Sequence, residues 1–298
     1  MVSKAVAEWS ARGHRITVDD LEVFVLDAPA TAAESGDPLL VLHGFPTCSF
    51  DWREVIEPVR AAGRRVVLFD FLGFGLSDKP DVRYSIRGYA DTAEAVARDA
   101  GLDRVVLATH DLGDSVGGEL LTRSLEGSLG FEVTSRIISN GSIYMDLVQL
   151  TDGQQALLAA EDARFDLAAL GIDPSVGFKG GVAGTFARPE DADPEELDAL
   201  WELASYQDGH QLLARTIRYI EDRRAEESRF TGGIEQHPSP LHVIWGKLDP
   251  VARYPMATRL HELRGEAPLV TLDDIGHYPM VEAPDRFATA MLAALSSA

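Results

Sequence analysis

The chain has 298 residues, of which 45% are apolar and 25% charged, and its formal net charge is −21 at pH 7. This length and composition predict a globular protein with a large core, built as one domain or as one domain with an insertion. The acidity makes nucleic acid and anionic membranes poor partners, and no run approaches the roughly 20 apolar residues of a membrane helix. The single cysteine, Cys48, excludes an internal disulfide and favours a cytoplasmic location.

Apolar runs and helical patterns alternate along the chain. Residues 15–28 alternate apolar and polar positions and predict two short strands joined at Asp19-Asp20. Continuous apolar runs predict further strands buried on both faces, at 38–44, 64–70, 104–110, 136–143, 241–246 and 269–274. Helical patterns between the early strands cover 50–63, 85–101 and 113–125.

This alternation predicts an α/β fold with a mostly parallel sheet and helices on both faces. Ligand sites of such sheets lie beyond the carboxyl ends of the strands. Residues 145–235 interrupt the pattern with helical sequence, including the capped start Asp193-Pro194-Glu195-Glu196. We therefore predict a core formed by 1–144 and 236–298, with 145–235 as a helical cap over the site. The alternative is a stack of surface helices with no part in binding.

The stretch 108–120, ATHDLGDSVGGEL, fits a nucleophile elbow in two frames. The frame G-D-S-V-G makes Ser115 the nucleophile of a serine hydrolase. The frame T-H-D-L-G instead puts Asp111 at the turn and predicts displacement at carbon through an alkyl-enzyme ester. The run VVLAT of the predicted strand ends at Thr109, so the tight turn falls at Asp111, and Ser115 lies about one helical turn further on. We therefore predict Asp111 as the nucleophile.

Three further motifs end predicted strands in the chain order of an elbow nucleophile, an acid and a histidine. H-G-F-P offers the backbone N–H of Phe45, which would form an oxyanion hole with the N–H of Leu112. W-G-K-L-D-P offers Asp249 as the acid, and D-D-I-G-H-Y-P offers His277 as the base. Each motif alone is weak evidence, but four of them at strand ends in this order strongly support the assignment.

Other residues near these motifs carry separate expectations. Asp146 follows the strand at 136–143 and is an alternative acid, although Asn140 already occupies the end of that strand. Asp114 stands where a small residue is usual, and we expect it to be exposed or paired on its helix. The sequence has no metal-ligand cluster and no phosphate-binding loop, so no metal and no cofactor is implied.

Six segments are similar to motifs of one enzyme group: HGFPTCSFDW (43–52), DFLGFGLSDKP (70–80), HDLGD (110–114), ISNG (138–141), GKLDPVARYP (246–255) and GHYPMVEAP (276–284). They resemble the α/β-hydrolases of the group that holds epoxide hydrolases and haloalkane dehalogenases, and within it the mesoderm-specific transcript-like proteins. The resemblance covers nearly the whole chain and is weakest in the cap. It implies the α/β-hydrolase fold, an Asp-His-Asp triad and an alkyl-enzyme ester.

The resemblance leaves the leaving group open. Dehalogenases hold the halide with N–H donors at the positions of Phe45 and Leu112, whose side chains here have none, so a donor would have to come from the cap, for instance Trp201. Phenylalanine in H-G-F-P is typical of epoxide hydrolases, which open the ring with tyrosine hydroxyls of the cap. By position, the candidates are Tyr219 and, as a second donor, Tyr206 or Tyr144.

Three functions therefore stay open. The preferred one is an epoxide hydrolase-like enzyme. The second is another hydrolase with an aspartate nucleophile, such as a dehalogenase or an enzyme that opens strained lactones, and the third is a non-catalytic binding module. The expected partner is a small apolar electrophilic substrate, with a homodimer as an open alternative and with no nucleic acid or membrane.

Overall fold

The computed structural model of the protein describes residues 2–265 and 267–296. Within these residues, eight strands form one sheet in the order β1-β2-β4-β3-β5-β6-β7-β8. The strands are β1 (His14–Val18), β2 (Leu21–Ala28), β3 (Leu39–Leu42), β4 (Val66–Phe69), β5 (Arg104–His110), β6 (Glu132–Ser139), β7 (Leu241–Gly246) and β8 (Leu269–Leu272). Only β2 pairs antiparallel with its neighbours β1 and β4, and the other described pairs are parallel. The predicted α/β fold with a mostly parallel sheet is confirmed.

Helices link the strands and cover the sheet. They are α1 (Lys4–Arg12), α2 (Arg53–Ala61), α3 (Ile86–Asp99), α4 (Leu112–Leu125), α5 (Asp152–Ala159), α6 (Pro174–Ala183), α7 (Pro194–Ser205), α8 (Leu213–Thr216), α9 (Tyr219–Gln236), α10 (Pro255–Arg264), α11 (Pro279–Glu282) and α12 (Pro284–Ser296). The sequence pattern does not predict helix α1. Ser3 caps this helix with its hydroxyl, and Trp9 packs against Phe24 and Phe50, which anchors the helix to the core.

Strands β3 and β4 are apolar throughout because helices cover both faces of the sheet. All four residues of β3 are buried, and Leu40 pairs with Leu107 of β5. Strand β6 ends at Ser139, four residues before the end predicted for it. The reason is Asn140, whose φ of 46° takes the chain out of the extended conformation. The turn at Asn140 directs the following residues across the carboxyl edge of the sheet.

Helix α9 is the last of the five α-helices between β6 and β7, and it packs closely on α4. Gly118 of α4 lies against the backbone of Phe230, and Gly233 of α9 lies against the backbone oxygen of Gly118, so a Cβ at either glycine would clash. This approach fixes the start of α9, with Tyr219 and Arg223, near the start of α4. The segment corresponds to the predicted cap, whose role in binding stays a prediction.

Candidate active site

Asp111 occupies the tight turn between β5 and α4. Its backbone has φ 52° and ψ −113°, a region that costs a non-glycine residue roughly 1–3 kcal/mol. The turn is possible because Gly113 lies directly against the carbonyl group of Leu42, where a Cβ would clash. Such strain presents the Asp111 side chain at the carboxyl edge of the sheet, as a nucleophile elbow requires.

The carboxylate of Asp111 is buried and held from two sides. Its Oδ1 accepts a 2.7 Å hydrogen bond from the N–H of Phe45, and its Oδ2 lies 3.6 Å from Nε2 of His277. Burial raises the pKa of Asp111, and His277 together with the N–H groups of Phe45 and Leu112 opposes that rise. The two N–H groups predicted as an oxyanion hole thus both face this carboxylate, where they would also face the carbonyl of an Asp111 ester.

Asp249 and His277 form the second half of the site. Oδ2 of Asp249 lies 2.7 Å from Nδ1 of His277 and also accepts a hydrogen bond from the amide of Asn140. Oδ1 of Asp249 accepts the N–H groups of Val251 and Ala252. With both of its oxygens occupied in this way, Asp249 holds the imidazole in one orientation, with Nε2 toward Asp111.

The electrostatics of His277 follow from its two carboxylate neighbours. Burial alone would lower the pKa of His277, but Asp249 and Asp111 outweigh it and raise the pKa to about 9. A pKa of about 9 favours the protonated imidazole at neutral pH as long as Asp111 is ionised. Loss of the negative charge on Asp111 would remove part of the cause of this shift and favour the neutral imidazole.

Tyr219 alone of the three candidate tyrosines is brought to this site. Its ring lies 6.0 Å from that of Phe45, and the charge of Asp111 acts with burial to raise its pKa well above the usual value. Tyr206 instead accepts a hydrogen bond from Arg15 at the surface. Tyr144 packs under the guanidinium of Arg259, 4.0 Å from the ring centroid. The second donor expected from Tyr206 or Tyr144 is therefore not found at either position.

The other candidate residues from the sequence lie outside the group formed by Asp111, His277 and Asp249. Asp146 is exposed and forms an ion pair with Arg259 at 3.1 Å. Ser115 lies one turn inside α4, away from the tight turn. The ring of Trp201 packs against the rings of Phe178 and His210, and neither contact brings it to Asp111. The geometry thus separates these residues from the group formed by Asp111, His277 and Asp249.

Asp114 differs from its predicted environment. The residue is buried, and neither of its carboxylate oxygens has a hydrogen-bond partner, so the expectation of an exposed or paired side chain is wrong. The first turn of α4 is enclosed, and the backbone of Gly141 lies so close that a Cβ there would clash with the Asp114 carboxylate. Burial raises the pKa of Asp114 well above its usual value and favours the neutral acid.

Two residues of the site are absent from the sequence-based prediction. Tyr278 packs its ring edge-on against His277, and its hydroxyl donates to the carbonyl of Phe45 at 3.3 Å. Arg223 is buried on α9, one helical turn after Tyr219, and its charge acts on Asp111. The i, i+4 spacing from Tyr219 to Arg223 is the signal that could have found the arginine, since such residues share a helix face.

Residues 2–265 and 267–296 contain neither a cluster of metal ligands nor a helix that could span a membrane. No group of three or more His, Cys, Asp or Glu side chains in this part of the chain is arranged to hold a metal ion. No helix among the same residues is long and apolar enough to cross a membrane.

Comparison with known proteins identifies the family. Residues 39–290 match the model of the alpha/beta hydrolase family, and the chain belongs to that family. LipZ of Mycobacterium tuberculosis is 38% identical over 296 residues, covering 99% of both chains. The human mesoderm-specific transcript homolog protein is 33% identical over 310 residues, covering 99% of this chain and 89% of that protein. The resemblance to mesoderm-specific transcript-like proteins is thereby confirmed.

Solved structures share the fold at low sequence identity. The epoxide hydrolase CorEH superposes with a TM-score of 0.75 at 17% identity, covering 96% of this chain and 98% of that one. The esterase EaEST of Exiguobacterium antarcticum superposes with a TM-score of 0.74 at 18% identity, covering 95% and 99%. At such identities the likeness shows the fold alone, and this fold carries both kinds of hydrolase.

Proposed function

We propose that the protein is a hydrolase that uses Asp111 as its nucleophile and opens an electrophile, most directly an epoxide, through an alkyl-enzyme ester. The observation that supports this most is that a carboxylate, not a hydroxyl, occupies the turn between β5 and α4, with an oxygen 3.6 Å from Nε2 of His277. A carboxylate in that position attacks carbon directly, and the histidine is left to act on water in a later step.

In the first step an oxygen of Asp111 bonds to a ring carbon of the epoxide, and the bond from that carbon to the ring oxygen breaks. The ring oxygen takes the hydroxyl proton of Tyr219, which leaves a hydroxyalkyl ester on Asp111 and a tyrosinate. Burial raises the pKa of Tyr219 well above its usual value, but the nearby guanidinium of Arg223 opposes that rise. The guanidinium therefore favours the proton transfer.

In the second step water attacks the carbonyl carbon of the ester and gives a proton to His277. The N–H groups of Phe45 and Leu112 stabilise the oxyanion that forms. The intermediate collapses and expels the diol oxygen, which takes the proton from His277, and the proton left on the Asp111 carboxyl returns to Tyr219. The sum is one epoxide and one water converted to one diol.

The charge of the site supports this order of steps. At rest, Asp249 and Asp111 raise the pKa of His277 to about 9 against the effect of burial, and the imidazole is protonated. Once Asp111 is an ester it carries no charge, the pKa of His277 falls, and the imidazolium releases its resting proton to solvent, to regain one when Asp111 is again a free carboxylate. The imidazole thus becomes available as a base at the stage at which water has to be activated.

Halide displacement has less support. The side chains of Phe45 and Leu112 offer no hydrogen-bond donor for a departing halide, and Trp201 packs against Phe178 and His210. A strained lactone would be opened by the same attack at its alkyl carbon. A non-catalytic module would form no ester, and this is one of the outcomes of the experiment that follows.

The test is the intact mass of the His277→Ala variant after incubation with a panel of epoxides and haloalkanes. We expect a gain equal to the mass of a whole epoxide, mapped to the peptide that contains Asp111, because the second step lacks its base. The exposed His14→Ala variant is the matched control and should accumulate no adduct, and Asp111→Asn should form none. A gain equal to a haloalkane less its hydrogen halide makes the protein a dehalogenase, and no adduct from either class overturns the proposal.

A further inference from the structure

Arg223 is a buried cation that the proposed steps use only indirectly. Its side chain is 4% exposed, and its Nη2 has no hydrogen-bond partner. It lies on α9 one turn beyond Tyr219, whose ring packs against Phe45 beside the candidate nucleophile. A buried N–H donor without a partner destabilises the fold, and a guanidinium is rarely left in that state.

None of the neighbouring carboxylates accepts a hydrogen bond from Nη2 of Arg223. Oδ1 of Asp111 accepts the Phe45 N–H, and its Oδ2 faces His277. Oε1 of Glu227, one turn after Arg223, accepts the N–H of Met145 at 2.7 Å. The two oxygens of Asp114 have no hydrogen-bond partner at all. The guanidinium therefore lies near these carboxylates, and its Nη2 still has no hydrogen-bond partner.

We propose that Arg223 forms a subsite beside Asp111 that binds a carboxylate of the substrate. The preferred electrophiles are then small acids, such as epoxy acids, whose reactive carbon lies next to the carboxylate. The identity of the electrophile rests on the proposed function, whereas the binding of a carboxylate at Arg223 does not. It is an alternative to the small apolar electrophilic substrate that the sequence predicts.

A carboxylate suits this place better than a neutral group. The planar guanidinium presents paired N–H donors that match the two oxygens of a carboxylate. A neutral apolar substrate would leave Nη2 without a partner in the complex, as it is without one in the free protein. The net charge of −21 does not prevent the approach of an acid, because charges beyond about 8 Å are largely screened at physiological salt.

The first test compares the binding of propionate and propionamide to the wild-type protein by calorimetry. The two molecules have nearly the same shape, and only propionate carries a charge. Because neither reacts with a carboxylate, the measurement is independent of any covalent chemistry. We expect propionate to bind at least ten-fold more tightly, and equal binding or a preference for propionamide overturns the subsite.

The second test uses variants of the arginine. Arg223→Lys keeps a charge but loses the planar pair of donors, and we expect about ten-fold weaker propionate binding. Arg223→Met should abolish the preference over propionamide. The exposed Arg224→Met is the matched control and should keep the preference, and circular dichroism checks that each variant is folded. Unchanged propionate binding by folded Arg223→Lys and Arg223→Met overturns the proposal, and if Arg223→Met does not fold, the lysine variant and the wild-type comparison decide it.

The third measurement separates this inference from the proposed function. His277→Ala is incubated with glycidate and with glycidamide, and the rate of adduct formation on Asp111 is followed by mass. We expect glycidate to react at least ten-fold faster. If no adduct forms but the propionate preference stands, the proposed function fails and the subsite remains. If adducts form at equal rates and the propionate preference is absent, the subsite fails and the nucleophile remains.

Discussion

Asn140 donates a 2.8 Å hydrogen bond to Oδ2 of Asp249, the same oxygen that faces Nδ1 of His277. The amide also joins Gly246, donating to its carbonyl and accepting its N–H, and it donates to the carbonyl of Gly276. One side chain at the end of β6 thus ties together the loops that carry the candidate acid and the candidate base. The left-handed backbone at Asn140 turns its side chain to this position, and asparagine tolerates that conformation better than most residues.

The Asn140→Ala variant should lose both stability and activity. The buried N–H of Gly246 loses its partner, and its carbonyl keeps only a 3.4 Å bond from the N–H of Asp249, so we expect the free energy of unfolding to fall by about 1–3 kcal/mol. Misplacement of Asp249 should lower turnover by roughly 10²-fold. Urea unfolding and steady-state kinetics measure the two effects. The control is Gln155→Ala at the surface of α5, which should change neither, and a variant of Asn140 as stable and active as wild type would contradict this role.

The two candidate acids can be separated by charge removal. Asp249→Asn keeps the size of the side chain but cannot hold the imidazolium, so we expect turnover to fall by about 10²–10⁴-fold and the Asp111 ester to accumulate. Asp146→Asn is the matched control, because Asp146 is paired with Arg259 at the surface, and its turnover should stay within about two-fold of wild type. Equal losses in the two variants would mean that the acid has been assigned wrongly.

The sequence predicts those residues of the candidate site that lie at the ends of strands. Apolar runs mark parallel strands, and the carboxyl ends of such strands meet at one edge, so Asp111, Asp249 and His277 could be expected to lie together. The bounds of α4 and β7 agree with prediction to within one residue. The prediction for Asp114 was wrong because the sequence at the start of α4 does not show which residues from elsewhere in the chain enclose this side chain.

The residues between β6 and β7 could not be predicted in this way. No strand fixes which face of each helix meets the sheet, so the sequence named Tyr219 first but left Tyr206 and Tyr144 open as a second donor. Tyr206 begins a short 3-10 segment in which Gln207 and Asp208 adopt left-handed conformations, a break that the helical pattern does not show. Tyr219 and Arg223 reach the site because α9 packs closely on α4, and that contact depends on glycines distant in sequence.

The buried carboxyl of Asp114 should make the protein less stable as pH rises. A carboxyl whose pKa is higher in the folded state than its unfolded value of 3.8 stabilises the fold fully only below that value. Above pH 3.8 its contribution is lost at up to about 1.4 kcal/mol per pH unit until the folded pKa is reached. Asp114→Asn should therefore gain stability over wild type as pH rises, measured by urea unfolding at several pH values. The exposed Asp99→Asn should show no such gain, and a constant difference between Asp114→Asn and wild type would refute the assignment.

His277 should give a second pH dependence of stability. Its pKa is raised from 6.5 in the unfolded chain to about 9 in the fold, so its stabilising contribution is complete below pH 6.5 and is lost as pH rises through about 9. Between these values the wild type should lose up to about 1.4 kcal/mol per pH unit relative to His277→Gln. Urea unfolding of both proteins at pH 6, 7, 8 and 9 measures this difference. A difference that does not change with pH would mean that the imidazole is not charged in the folded protein.

The hydroxyl of Tyr219 should matter for one class of leaving group and not for the other. An epoxide oxygen needs a proton as the ring opens, and Tyr219 is the cap tyrosine whose surroundings include Asp111. Tyr219→Phe keeps the ring against Phe45 and removes the donor, so we expect epoxide opening to slow by about 10²–10³-fold, as for the loss of one oxyanion donor. Displacement of a halide, which leaves without a proton, should change little.

The measurement is the rate of adduct formation on Asp111 in the His277→Ala background, with and without Tyr219→Phe. Tyr206→Phe and Tyr144→Phe are the controls, because the first hydroxyl binds Arg15 and the second ring lies under Arg259. These two variants should react with the epoxide at the rate of the parent. If Tyr206→Phe or Tyr144→Phe slows the reaction as much as Tyr219→Phe does, the proton comes from elsewhere in the helical segment. If none of the three slows it, ring opening proceeds without a tyrosine donor.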